Sequence, residues 1–147
     1  MSEAVTAVLK QEQDYRFAIH FSEGMPVFYG DEPAPLGKAS GPSPSQLLAA
    51  AVGNCLSDSL LFALRKFKQN PEPIQAVATA TIDRNAENRL RVVRIDVRLT
   101  LGVPAKNLAH LDRALAQFED FCTVSQSVRQ GIPVMVEVHD SDGLRLK

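Results

Sequence analysis

Ser45–Leu64 (SQLLAAAVGNCLSDSLLFAL) decides how the rest of the chain must fold. Its twenty positions hold thirteen apolar residues and one charge, Asp58. Ser43 and Ser45 are helix N-cap candidates, and Pro44 lacks an N–H that the first turn would leave unpaired anyway. Alanine and leucine, both strong helix formers, carry the run onward to Arg65, Lys66 and Lys68. The spacing predicts a helix over Ser43–Gln69, stopped by Asn70-Pro71-Glu72-Pro73. Amphipathic surface helices carry one apolar stripe, whereas this segment is apolar or small nearly all round, so it must be buried.

Outward from that helix the chain alternates in short strands. Tyr15, Phe17, Ile19 and Phe21 fall on one face of a strand, with Arg16, Ala18 and His20 on the other. A second short strand is expected over Pro26–Tyr29, and the Pro- and Gly-rich stretch Asp31–Pro44 reads as an irregular connection. Beyond the helix, Ile74–Asp83 and Arg91–Leu101 form a hairpin. Val93, Ile95, Val97, Leu99 and Leu101 should point inward. A second helix should open at Pro104, with Leu108, Leu111, Leu115 and Phe118 on one stripe that ends at Cys122. A short helix capped by Thr123 or Ser125 and a last strand, Ile132–Val138, complete the order β-β-α-β-β-α-α-β.

The expected class is α+β: a single domain over residues 1–147, with a long buried helix and a second helix packed on an antiparallel sheet. One small sheet cannot cover a helix that is apolar on all sides, so a homodimer with this helix at its centre is expected. At 147 residues, 45% hydrophobic, 22% charged and net charge −1, the composition is that of a soluble globular protein. It carries no basic excess for nucleic acid. Asn54 and Asp58 inside the helix argue against a membrane span. The N-terminus shows no charged segment followed by an apolar core, and two cysteines fit a reducing, cytoplasmic setting. No Cys or His pair has zinc-ligand spacing, so neither metal nor cofactor is expected.

Two readings of Cys55 and Cys122 follow from their positions. Each sits on an inward stripe, where a free cysteine serves as a small buried hydrophobe. Alternatively they are a nucleophile and its resolving thiol. A free thiol has a pKa of ~8.5, so a reactive Cys55 needs a cation. Cys55 lies too deep in its helix for the helix dipole to help, and Asp58 one turn on would oppose a thiolate. Arg16, on a strand face without bulky apolar residues, is the candidate cation; otherwise it is a solvent-exposed strand arginine.

The segment Gly41–Cys55 (GPSPSQLLAAAVGNC) resembles the signature of the OsmC/Ohr family, and Phe121–Val128 (FCTVSQSV) resembles that family's second cysteine segment. The resemblance implies an intertwined homodimer with active sites at the subunit interface, and reduction of organic or lipid hydroperoxides. It makes Cys55 the peroxidatic thiol, Cys122 the resolving thiol and an external dithiol the reductant, with a first-strand arginine, here Arg16, beside Cys55. Two positions depart from the family pattern: Ser45 stands where a glutamate holds that arginine, and Thr123 where proline is usual. Branches of the family without the glutamate are the nearer likeness. On the same scaffold the rival is a non-catalytic dimer holding an apolar small molecule in a cavity lined by Leu48, Val52 and Phe62. A third reading, a hot-dog-type acyl thioesterase with Asp58 as its carboxylate, is opposed by the two cysteine motifs.

Overall fold

The computed structural model describes residues 1–147. Six strands, three α-helices and two 3₁₀ turns follow one another as β1 (Val8–Gln13), β2 (Arg16–His20), β3 (Phe28–Gly30), α1 (Pro44–Lys66), β4 (Gln75–Arg84), β5 (Leu90–Thr100), a turn at Ala105–Asn107, α2 (Leu111–Gln117), a turn at Phe118–Phe121, α3 (Thr123–Val128) and β6 (Val134–His139). The chain divides into two compact units, Met1–Leu47 and Leu48–Lys147.

The first unit is an antiparallel sheet in the order β1-β2-β3. Sequence reading missed β1 because VLKQEQ has two apolar residues and a polar run of low strand preference. All six of its residues are exposed. Pairing makes it a strand: Asp14, at φ +51°, turns the chain, and Gln11 Nε2 donates to the Asp14 carbonyl at 2.9 Å. The apolar face expected for β2 is not covered within this unit, since Tyr15, Phe17 and Phe21 stay exposed while Ala18 and Ile19 are buried.

The start of α1 is a reciprocal cap. Ser43 Oγ accepts the Gln46 N–H at 3.3 Å, and Gln46 Oε1 accepts the Ser43 N–H at 2.9 Å. At the other end Lys68 takes φ +59° and Gln69 N–H returns to the Leu64 carbonyl, so the helix stops at Lys66, short of Gln69.

The second unit holds the core. Val52, Leu56, Leu60 and Leu64 of α1 pack with Ile95, Val97 and Leu99 of β5, Val138 of β6, and Ala114 and Phe118 at the second helix. A Cβ added at Gly53 would lie 3.1 Å from Ala78 Cβ, so helix and strand meet with no side chain between them. Ala76, Ala78 and Ala80, alternating on one face of β4, permit that close approach. The opposite side of α1, with Ala50, Ala51, Asn54, Asp58 and Phe62, is exposed in the single chain.

Four details correct the sequence reading. The sheet is mixed, not wholly antiparallel: β4 and β5 are antiparallel, but β6 lies parallel to β5. The cause is the long connection Leu101–Pro133, which carries the chain back across the sheet before it pairs. Val93 does not point inward. A bulge pairs Thr81 with Arg94 but Ile82 with Val92, so Val92 packs against the core and Val93 is exposed. The second helix begins at Leu111, because a 3₁₀ turn follows Pro104 and His110 takes φ +58°. The cap of α3 is neither Thr123 nor Ser125 but Cys122, whose sulfur accepts the Ser125 N–H.

Candidate active site

Within Leu48–Lys147 the structure brings the two cysteines together. Cys55 is half-buried midway along α1, and Cys122 is fully buried where the chain turns into α3. Both thiols are free. The Cys122 side chain lies close enough to Cys55 to act on its thiol. Two successive amides of α3 act on the pair: that of Val124 favours the Cys55 thiolate, and Ser125 N–H donates to Cys122 Sγ at 3.4 Å.

These surroundings push the Cys55 thiol pKa up from its ordinary value. Burial is the largest cause, followed by the Cys122 side chain, which favours the Cys55 thiol keeping its proton; the charges of Cys122 and Asp58 act in the same direction. The Val124 amide alone opposes them. Asp58 is exposed, with Asn54 Nδ2 at 3.3 Å from its carboxylate. The second unit therefore supplies Cys55 with a partner thiol and an amide, while the charges acting on it favour the neutral form.

Arg16 lies in the first unit and is held there on three sides. Its Nε donates to Glu12 Oε1 at 2.8 Å, its guanidinium carbon lies 4.1 Å from the Tyr29 ring centre, and Nη1 reaches the Ser40 carbonyl at 3.4 Å. Sequence reading could not foresee the Glu12 contact, because it depends on the unrecognised strand β1. Asp31 opens the stretch that the sequence marks only as an irregular connection. It is 4% exposed and accepts from Ser40 Oγ at 2.7 Å and from the amides of Glu32, Lys38 and Ser40. Those donors, Ser40 foremost, hold its carboxyl at about 2. Asp31 thus shapes the loop that presents the Ser40 carbonyl to Arg16.

The three residues expected to line an apolar cavity have different surroundings. Val52 is fully buried in the core, and Leu48 packs partly against it. Phe62 is 56% exposed and meets Phe121 edge-to-face at 6.0 Å, with Lys66 Nζ within 6 Å of both ring centres. Phe121 precedes Cys122, so this exposed aromatic pair adjoins the turn that bears the buried thiol.

Two free cysteines, one on a long helix and one at a short helical turn, thus stand together on an α+β scaffold. Residues 37–137 match the family described as OsmC-like protein, and the chain belongs to that family. Its fold is shared by the OsmC-like protein of unknown function from Vibrio cholerae, at TM-score 0.76 and 17% identity over 94% of this chain and 99% of that one. The organic hydroperoxide resistance protein from Elizabethkingia anophelis matches at TM-score 0.72 and 17% identity, covering 96% and 100% of the two chains. OhrB of Bacillus subtilis, also an organic hydroperoxide resistance protein, matches at TM-score 0.67 and 16% identity over 90% and 97%. No curated protein matches the sequence.

Proposed function

We propose that this protein is a thiol-dependent reductase of organic hydroperoxides, working as a cytoplasmic homodimer with an external dithiol as reductant. The observation that carries this reading is that Cys55 and Cys122 are neighbours, close enough for Cys122 to act on the Cys55 thiol, with only Cys55 reaching the surface. The Cys55 thiolate would attack the outer peroxide oxygen. The O–O bond breaks, the alkoxide leaves as alcohol after taking a proton, and Cys55 becomes a sulfenic acid. Cys122 then attacks that sulfur, expelling water and closing a disulfide. A dithiol reopens it, ending as its own disulfide and restoring both thiols. The exposed Phe62 and Phe121 rings offer an apolar surface beside the thiols.

Arg16 is the proposed thiolate stabiliser, brought to Cys55 in the assembled dimer. Because Ser45 cannot grip a guanidinium as a carboxylate can, activity is expected to be modest. The dimer is supported by the uncovered side of α1 and by the exposed apolar residues of the first unit, Phe17, Phe28 and Leu9 among them.

The raised Cys55 pKa favours a second reading, an apolar-ligand-binding dimer with inert thiols, whose ligand would meet Phe62 and Leu48 rather than the core residue Val52. Turnover of cumene hydroperoxide with dithiothreitol separates the two when wild type, Cys55→Ser and Cys122→Ser are compared across pH. The reductase reading expects turnover abolished by Cys55→Ser, with Cys55 alkylation at neutral pH that fades in Arg16→Ala. Alkylation rising only above about pH 8.5, without turnover, would leave the binding protein.

A further inference from the structure

Beyond the contacts of Ser125 and the Gln126 amide with Cys122, the turn that carries Cys122 is tied to its surroundings through Glu119. Its main-chain carbonyl accepts the Cys122 N–H at 3.1 Å and Gln126 Nε2 at 3.0 Å. Its carboxylate, 17% exposed, takes Arg129 Nη2 on one oxygen at 3.0 Å and Lys147 Nζ on the other. Arg129 closes the far end of α3, the helix whose first-turn amides act on both thiols. Lys147 ties the same carboxylate to its surroundings. It donates to the Leu115 carbonyl at 3.0 Å, its Nζ lies 5.2 Å from the Phe118 ring centre, and its own carbonyl accepts the Val138 N–H of β6. The Cys122 turn, α3, the end of α2 and the sheet therefore meet at a single carboxylate.

We propose that Glu119 is the positioning residue of the resolving step, its paired carboxylate holding the Cys122 turn with the sulfur aimed at Cys55. The proposal rests on the reading of Cys122 as resolving thiol. A disulfide requires the sulfurs to close to about 2.05 Å with a dihedral near 90°, so Cys122 Sγ must leave the Ser125 amide and advance on the Cys55 sulfenic sulfur. A turn pinned at Glu119 offers one approach. A freed turn spreads the thiol over many orientations, and displacement reactions lose rate steeply when the reacting atoms are misplaced. Cys55 itself stands on α1 and owes nothing to Glu119, so its first oxidation should not depend on these ion pairs.

The test is a single-turnover reaction of the reduced full-length protein with cumene hydroperoxide. Sulfenic acid is trapped by a 1,3-diketone, and disulfide is counted by mass. Glu119→Gln keeps the carbonyl contacts and the shape while removing both ion pairs. The expected result is Cys55 oxidation at the wild-type rate, disulfide closure slower by about tenfold and sulfenic acid accumulating, with Glu119→Asp restoring most of the closure rate. Lys147→Ala, which removes one pair, should slow closure by about threefold; it decides the matter if Glu119→Gln fails to fold. Closure at the wild-type rate in a folded variant overturns the role of Glu119, as does an equal slowing of both steps, the mark of a general loss of structure. If the Cys122→Ser control matches wild type, it is the resolving role of Cys122 that fails. A parallel arm uses diamide, which adds the Cys55 thiol across its N=N bond and leaves as the hydrazine when Cys122 attacks. That arm reads the same closure step in the absence of any hydroperoxide turnover.

Discussion

Phe17 and Phe118 are the same side chain in two regions of very different build. Phe118 has no exposed surface and belongs to a core drawn from α1, two strands and the helices after them. Phe17 is 36% exposed on a three-stranded sheet where Ile19 is buried but Leu9, Phe28 and the flanking Tyr15 and Phe21 are more open still. The second unit is closed around a core of its own, whereas the first, 47 residues long, is near the size at which a lone chain cannot bury enough to hold itself together. The contrast teaches that the candidate chemistry is split: the dithiol stands in the self-sufficient unit, and the proposed cation stands in the one with an open apolar face.

The largest effect should come from the closed core. Phe118→Ala is expected to cost about 3–5 kcal/mol, read as a lowered denaturant midpoint with an unchanged slope. A loss below about 1 kcal/mol would mean that Phe118 is not the packed residue described. Phe17→Ala sharpens the comparison. On its exposure in one chain it should cost about 1 kcal/mol; covered by a second copy, as we propose, about 2–3 kcal/mol. In that case the wild-type melting temperature also climbs with protein concentration, and the variant's falls toward that of a dissociated chain. A melting temperature independent of concentration, with a small loss, breaks the dimer proposal.

The smallest effect is a change with pH confined to the first unit. The Asp31 carboxyl titrates at about 2 when folded, against 3.8 for the free group, because Ser40 and three amides hold the charged form. A folded pKa below the unfolded one means that Asp31 stabilises the fold fully above about pH 4, and that this is lost as pH falls through 2. The melting-temperature gap between wild type and Asp31→Asn should therefore narrow steadily from pH 5 to pH 2. A gap that stays constant over that range would show that the carboxylate's charge is not what holds the loop.

Some features were legible because they depend on neighbours in sequence. The helix over Pro44–Lys66 announces itself through composition and a Ser-Pro start, and the β4–β5 hairpin through strict alternation. The Cys55 and Cys122 segments could be recognised with no knowledge of their proximity. The parallel placement of β6 had a signal that went unused, namely a connection far longer than a hairpin needs. Other features had none. The bulge that turns Val93 outward is one extra residue in an unbroken apolar alternation. The strand character of Val8–Gln13, the burial of Asp31 and the convergence of Arg129 and Lys147 on Glu119 involve partners that sequence spacing does not bring together.

By itself the sequence determined the central helix, the α+β order and the two cysteine segments that mark the family, since hydrophobic period, helix preference and caps act over a few residues. Only the tertiary structure decided that the two cysteines are neighbours and that Arg129 and Lys147 meet on the Glu119 carboxylate. It also decided that the charges nearest Cys55 oppose its ionisation. Burial, hydrogen bonding and charge act through space, and the groups responsible are brought together by folding.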